Sequence, residues 1–592
     1  MRTLILDRAE GNPFFLEELV RSLLDMVIVV IENGRAAAAG AIEAMNVPET
    51  VQGVLMARID RLDLEKKQTL QNASVIGRVF QQQVLERLYQ NKVAMNSQLN
   101  DSLAELQRRG FIQPGKSSED REYIFKHAIT HEVAYHSVLI AHRKQLHRRV
   151  GEAIEALFPN RLDELSPTLG YHFEKAEARE KAIRYLRQAA ERAQATFANV
   201  EALAFHRSAL RQVELLLAAR PDETLRQTIA QIQESVGDIY HLIGQQEEAR
   251  AAYESALRSA PQDDVVCSSR LRRRQAKAWI IEREYERALQ CYDQAEKTLQ
   301  DRPSLASEWH RESLQIQVDR LWLHYWREDT DAIAAVAERI RPLVEQHATP
   351  LQRGNFLHGV VLMALRRDRY TPNDETIANA QASLAAIEES NISTEIGNAR
   401  FVLGLVYLCA GKLELAEEWL SDTLKLTEKA GDIVLQSRCL TYLTVTQRRR
   451  GAVENTRRYA EQSLASATAA KMVEYIGMAK ENVAWVHLRN GDVVTAFEQA
   501  SQAVENLRQT PQGHTILWVA LWPLIGVEMA RQQISDAIRH VETLLTPSQT
   551  AVPADLESAM RASINAWKGN DRNAAKIQLE KAANLAREIG YL

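Results

Sequence analysis

Cysteine is scarce in this chain. Cys267, Cys291, Cys409 and Cys439 are the four among 592 residues, far apart, with no CxxC pair and no histidine at metal-ligand spacing. That argues against a disulfide framework and a zinc site, and makes a reducing cytoplasm the expected setting. Long apolar runs are missing too. The longest, residues 26–31, falls far short of the roughly 20 residues of a membrane helix, and Arg2 is not followed by the apolar stretch and cleavage site of a secretory signal. No membrane partner is expected. Nor is there an excess of one charge: the formal net charge of −5 argues against a chain built as a whole to coat nucleic acid or anionic lipid.

What is present is helical material in quantity. Apolar residues make up 45% of the chain and charged residues 26%, the proportions of a soluble folded protein. At 592 residues it exceeds the roughly 250 to 300 at which a single core stops growing, so more than one unit is expected. From about residue 160 onward, Gly and Pro thin out, and segments rich in Ala, Leu, Glu, Arg and Gln are broken by short turns.

Those segments repeat. Within residues 230–261, Gly237, Tyr240, Gly244, Ala249, Tyr253, Ala256 and Pro261 fall at the diagnostic places of a tetratricopeptide unit. The small residues let two helices approach, the tyrosines fill the space between them, Gly244 permits the turn and Pro261 stops the second helix. Weaker copies use Ala276, Trp279, Ala288, Tyr292 and Ala295, and, earlier, Gly170, Phe173, Ala182, Leu186 and Ala189. Farther on, Gly411, Gly451 and Gly491 recur every 40 residues, with Gly404, Thr444 and Ala484 at the tight contact and Ala416, Thr456 and Ala496 after the turn. Longer hairpins of the same type account for this period, whereas coiled-coil heptads would not place glycines so. The fold expected is mainly α: a solenoid of helical hairpins.

The first 150 residues read differently. Thr50 is placed to cap a helix whose apolar spacing runs through Val51, Val54, Leu55, Ile59 and Leu62. Helices are expected over 65–76, 81–89 and 97–109. Phe111-Ile112 and Tyr123-Ile124-Phe125 then flank a polar stretch as a β-hairpin would. Three helices followed by a hairpin is a winged-helix pattern.

Three segments here resemble those of the signal-transduction ATPases with numerous domains, especially bacterial regulators that join an ATPase module to a winged helix and helical repeats, often beside a nucleotide cyclase or kinase domain. They are Glu10-Gly11-Asn12-Pro13-Phe14-Phe15-Leu16-Glu17-Glu18-Leu19, similar to the family's glycine-x-proline segment; Val47-Pro48-Glu49-Thr50-Val51-Gln52-Gly53-Val54-Leu55 with Arg58-Ile59-Asp60-Arg61-Leu62; and Tyr123-Ile124-Phe125-Lys126-His127-Ala128-Ile129-Thr130-His131-Glu132-Val133-Ala134-Tyr135. The resemblance implies an ATPase lid remnant over 1–45, a winged helix over 46–158 and repeats over 159–592. It implies that Pro13 would sit against adenine and that His127 would contact the phosphates of ADP, although Ala128 stands where many relatives carry aspartate. The family's phosphate loop, GxxxxGK[ST], lies before the glycine-x-proline segment and occurs nowhere in this sequence. No cofactor is therefore expected in this chain itself, and ATP or ADP with magnesium only where an upstream nucleotide-binding module supplies that loop.

Other constellations are weaker. His131, Glu132 and His136 miss the HExxH spacing of a zinc protease, so no metal is expected. The basic run at 142–149 reads as a solvated helix face, and nucleic acid is not an expected partner. No catalytic triad can be assigned from sequence. Tetratricopeptide units present the second, fifth, ninth and twelfth residues of their first helices on a concave face. Those places hold Arg270, Arg273, Lys277 and Ile280 in one unit, and Phe401, Leu405, Leu408, Val445, Met478, Trp485 and Leu488 in the 40-residue units. Either the apolar stripe is buried between units, or it forms with the arginines a groove for a protein or small-molecule partner. The function expected is a regulatory scaffold without catalysis of its own, the alternative being a stand-alone adaptor with no nucleotide role.

Overall fold

Helix-forming segments separated by short turns account for twenty-eight α-helices among the described residues. The structure is a computed structural model describing residues 11–26, 29–32, 35–38, 50–89, 95–115, 121–304, 306–327, 329–508 and 517–592, and the side chains of 29–32, 35–38, 95–97 and 508 are left aside. Glu10 and residues 46–49, which the resemblance uses, fall outside it. The chain divides into two compact units, residues 1–193 with 204–220, and residues 194–203 with 221–592. No helix of the described residues is long and apolar enough to cross a membrane.

Unit 1 begins with the helix Pro13–Asp25, whose cap Asn12 accepts from the amides of Phe14 and Phe15 at 3.0 and 3.2 Å. Two short strands, Val29–Glu32 and Arg35–Ala38, pair as a hairpin that the sequence reading had not anticipated. Thr50 caps Val51–Asp60 as expected, its hydroxyl accepting from the Gly53 amide at 3.1 Å, and Val54, Leu55 and Ile59 are buried. Leu64–Ile76, Gln82–Arg87 and Met95–Arg108 are the three anticipated helices, and Ile112–Pro114 pairs with Glu122–Phe125. A third strand, Val79–Gln81, also pairs antiparallel with Glu122–Phe125 and completes a three-stranded sheet. Ala128–His136, Ile140–Leu157 and Ser166–Lys175 follow, joined through Tyr135, His147 and His172. His147 Nε2 lies 3.0 Å from the Tyr135 hydroxyl, and His147 Nδ1 lies 2.9 Å from His172 Nδ1.

Unit 2 is a solenoid of nine helical hairpins among the described residues, from Glu223–Leu242 with Gln246–Ser259 to Ala554–Lys568 with Arg572–Glu588. The expected tight contacts are there. A methyl group on Gly237 would meet the Tyr253 ring at 2.4 Å, and one on Gly404 would meet Leu420 at 2.8 Å. Gly411, Gly451 and Gly491 all turn with positive φ, at 75°, 71° and 81°, which a residue with a Cβ adopts only at a cost. First helices begin at Ser393, Ile433 and Val473, the 40-residue period read from the glycines. The array curls far enough that Gly244, in its first hairpin, lies against Ile433 and Ala470 of the sixth.

The apolar stripe of these longer repeats is no open groove. Phe401, Leu405, Leu408, Val445, Met478 and Trp485 are all buried, and Leu488 is half-buried against Gly526. At the end of the stripe the apolar helix Trp518–Ala530 packs on Val473–Arg489, with Tyr591 stacked 4.0 Å from Trp518, while Phe401 packs against the Tyr442 ring of the next hairpin and Met478 clusters with Val434 and Tyr475. Covering the stripe removes its area from water, at roughly 25 cal/mol per Å².

Candidate functional site

Val265–Ile281 starts at the cap Asp264, which accepts from the Cys267 amide at 2.9 Å, and buries Cys267, Leu271, Ala276 and Ala278 on its packing side. That phasing turns its basic residues toward the first helices of the neighbouring hairpins. Arg270 grips Glu234 through two hydrogen bonds of 2.7 and 3.0 Å. Arg273 donates to Glu312 at 2.6 Å and to Asp319 at 2.9 Å, all three side chains being buried. Arg274 pairs with Glu234 at 2.9 Å and with Asp238, and Lys277 lies 3.2 Å from Asp319. Burial alone would raise the Asp319 and Glu234 carboxyls, but Lys277 and Arg273 beside the first, and Arg270 and Arg274 beside the second, hold both below the usual carboxylate range. The basic patch expected at 270–277 is thus four cations matched by four carboxylates.

These first helices wall a cavity of about 680 Å³ within unit 2, within the range of ligand sites in proteins. Arg273, Lys277 and Ile280 line it, whereas Arg270 and the buried apolar stripe do not. The lining also includes Trp322, Asn355 and His358, then Asn398 and finally Arg438. Sequence reasoning missed these residues although a signal existed: Asn398 and Arg438 occupy the same place in the 40-residue register as Met478, which was singled out.

Arg438 differs from Arg270, Arg273 and Arg274. It is 7% exposed, and no carboxylate of the described residues lies within ion-pair distance of it. Its guanidinium lies 5.5 Å from the Trp322 ring and 5.8 Å from the Trp326 ring, and its Nε is buried without a partner. The neighbouring Asp432 is occupied in capping Ile433–Arg449 through the Leu435 amide at 2.9 Å, and burial pushes its carboxyl up to about 6. His358, edge-on to Trp322 at 5.3 Å, also has a buried, unpartnered Nε2. Burial, assisted by Arg438, holds its pKa down to about 4, so the imidazole is neutral at pH 7.

In unit 1, Pro13 is exposed at the first turn of its helix, and the next residue, Phe14, packs its ring 4.2 Å from that of His127. His127 precedes Ala128–His136. Burial lowers its pKa, and its Nε2, 3.7 Å from Glu17, has no hydrogen-bond partner. Lys126 also pairs with Glu17 and, through that hydrogen bond, holds the carboxyl low. Beneath them the buried Arg58 bonds Glu18, Asp25 and the Arg109 carbonyl and lies 4.7 Å over Phe111, fastening the first helix to the second.

Residues 1–37 match a protein family described as "Domain of unknown function (DUF8739)". No curated protein matches the chain. Among solved structures it is similar to a signal transduction ATPase with numerous domains, carrying a tetratricopeptide repeat sensor, from Pyrococcus horikoshii, at 12% identity and a TM-score of 0.37 over 97% of this chain and 71% of that one. It is also similar to aspartyl phosphate phosphatase F from Bacillus subtilis, at 12% identity and a TM-score of 0.37 over 64% of this chain and 97% of that one. A third is the human IFIT1 dimer with m7Gppp-AAAA, at 15% identity and a TM-score of 0.36 over 60% of this chain and 77% of that one.

Proposed function

We propose that this chain is a regulatory recognition scaffold in which unit 2 takes a ligand into its cavity and unit 1 carries the winged helix and glycine-x-proline segment of a signal-transduction ATPase. The carrying observation is the cavity of about 680 Å³, walled by first helices of successive hairpins and offering buried, unpartnered donors at Arg438 and His358. Buried polar groups without partners are uncommon in finished cores and suit a wall that receives a ligand. The chain performs no catalysis by itself in this reading. ATP or ADP with magnesium would be held by a module that supplies the phosphate loop. From this chain Pro13 and His127 would meet the nucleotide, the second through its unpartnered Nε2. Ligand in unit 2 would then bias the population of nucleotide states.

Thermal unfolding of the chain across a library of small molecules tests the reading. Compounds that raise Tm in the wild type should lose that effect in Asn355→Trp, whose indole would fill the cavity. Stabilisation that survives this substitution places the ligand elsewhere and sinks the proposal.

A further inference from the structure

Charge matching sorts what the cavity can hold. Arg273, Arg274 and Lys277, which line it, and Arg270, which does not, are answered by Glu234, Asp238, Glu312 and Asp319, so this cluster is neutral. Arg438 has no such answer: no carboxylate of the described residues pairs with it, its Nε is buried without a partner, and two indoles flank it at 5.5 and 5.8 Å. A buried guanidinium is a planar fork of donors that fits a carboxylate in two hydrogen bonds. Next to it, neutral His358 offers an unpartnered Nε2, and Trp322 and Leu435 give a flat apolar surface between these polar points.

The lining also rejects a higher charge. Asp238 and Asp319 are already balanced by Arg274, Arg273 and Lys277, so a second or third negative charge on a ligand would meet Glu395 and Asp432, with no unmatched cation of the described lining residues beyond Arg438 to offset it. A cationic ligand would face Arg438 itself. We infer that the cavity takes a small organic monocarboxylate, its carboxylate on Arg438 and His358 and its body on Trp322. This inference rests on the reading of the cavity as the ligand site and names the class of ligand.

The test uses the whole chain and three matched pairs of probes: benzoate and benzamide, phenylacetate and phenylacetamide, hexanoate and hexanamide, with citrate as a polyanion. The acids should raise Tm by at least about 2 °C at millimolar concentration, while the amides and citrate leave it unchanged. Arg438→Gln should abolish the acid effect and Arg438→Lys should retain part of it, with circular dichroism confirming the fold of each. Should Arg438→Gln fail to fold, the acid-to-amide contrast in the wild type still decides. Amides that stabilise as well as their acids, acids that stabilise Arg438→Gln as they do the wild type, citrate that outperforms the monocarboxylates, or no effect from any acid overturns the inference. The first two outcomes, if abolished by Asn355→Trp, leave the cavity standing as a ligand site, whereas stabilisation that survives Asn355→Trp removes that reading as well.

Discussion

Arg438 and Arg448 belong to the same helix, Ile433–Arg449, and are similarly hidden from solvent, at 7% and 0% exposed, yet their surroundings are opposite. Arg448 lies at the filled end of the repeats. Its Nη1 donates to the Val519 carbonyl at 2.7 Å, its Nη2 donates to the Tyr591 carbonyl, and the Trp485 and Trp518 rings lie 5.7 and 5.5 Å away. Burial pulls its pKa down to about 9, so these oxygens are what make the charge tolerable. Arg438 lies at the hollow end and faces the cavity without such acceptors. One buried guanidinium therefore ties three distant segments of chain together, while the other is held ready by two aromatic walls.

Removing each partner in turn should separate these roles, and the largest effect is expected at Arg448. Arg448→Met strips the Val519 and Tyr591 carbonyls of their donor and leaves a buried void near Trp485. A loss of about 3–5 kcal/mol is expected in urea unfolding, the scale of breaking a buried charged network from one side. The matched wall of the cavity comes next. Arg273→Met leaves Glu312 without its ion-pair partner, while Asp319 keeps Lys277, so about 1–3 kcal/mol is expected by the same measurement. A cost at Arg273 equal to that at Arg448 would mean that the cavity wall is as dry as the filled end.

Glu481 sharpens the contrast through pH. It is buried beside Arg448 with an unpartnered Oε1, and burial raises its carboxyl to about 8. Unfolded, the same carboxyl ionises near its ordinary value of 4.5, so between about pH 4.5 and 8 the folded chain holds a proton that the unfolded chain has released. Stability is therefore greatest, as far as this group decides, below about pH 4.5. It declines as pH rises toward 8, by up to about 1.4 kcal/mol per pH unit. Glu481→Gln should flatten that slope and be the more stable protein at pH 8. An unchanged slope in urea titrations from pH 5 to 8 would show that Glu481 is charged in the fold.

How much of this was readable beforehand depends on how local the determinant is. The Gly237–Tyr253 contact, the glycines at 411, 451 and 491 and the Thr50 cap are set within one hairpin or one turn, and each stands where its residue type implied. The strand Val79–Gln81 was missed because its partner, Glu122–Phe125, lies two helices and a strand later in the chain. The fate of Phe401, Met478 and Trp485 was undecided for the same reason: a face of a repeat is groove or core according to what lies on it, and here the neighbouring hairpins lie on Phe401 and Met478 and Trp518–Ala530 packs on the helix of Trp485. Arg438 was overlooked because a lone arginine in an amphipathic helix is ordinarily solvated. Only the curl that brings Trp322 and Trp326 to it makes it singular.

The smallest effect, and the most discriminating, is expected at Arg438 itself in the absence of ligand. Arg438→Gln forfeits weak cation–π contacts at 5.5 and 5.8 Å, but it also relieves a buried charge that no carboxylate of the described residues answers. The two terms oppose each other, and a net change within about 1 kcal/mol of zero is expected in urea unfolding. A residue kept for stability cannot behave this way, because its removal leaves partners stranded, as at Arg448. A loss of about 3 kcal/mol or more would class Arg438 with Arg448 as a cross-link. A near-zero change would set it apart as a group whose interactions are completed by something other than the fold.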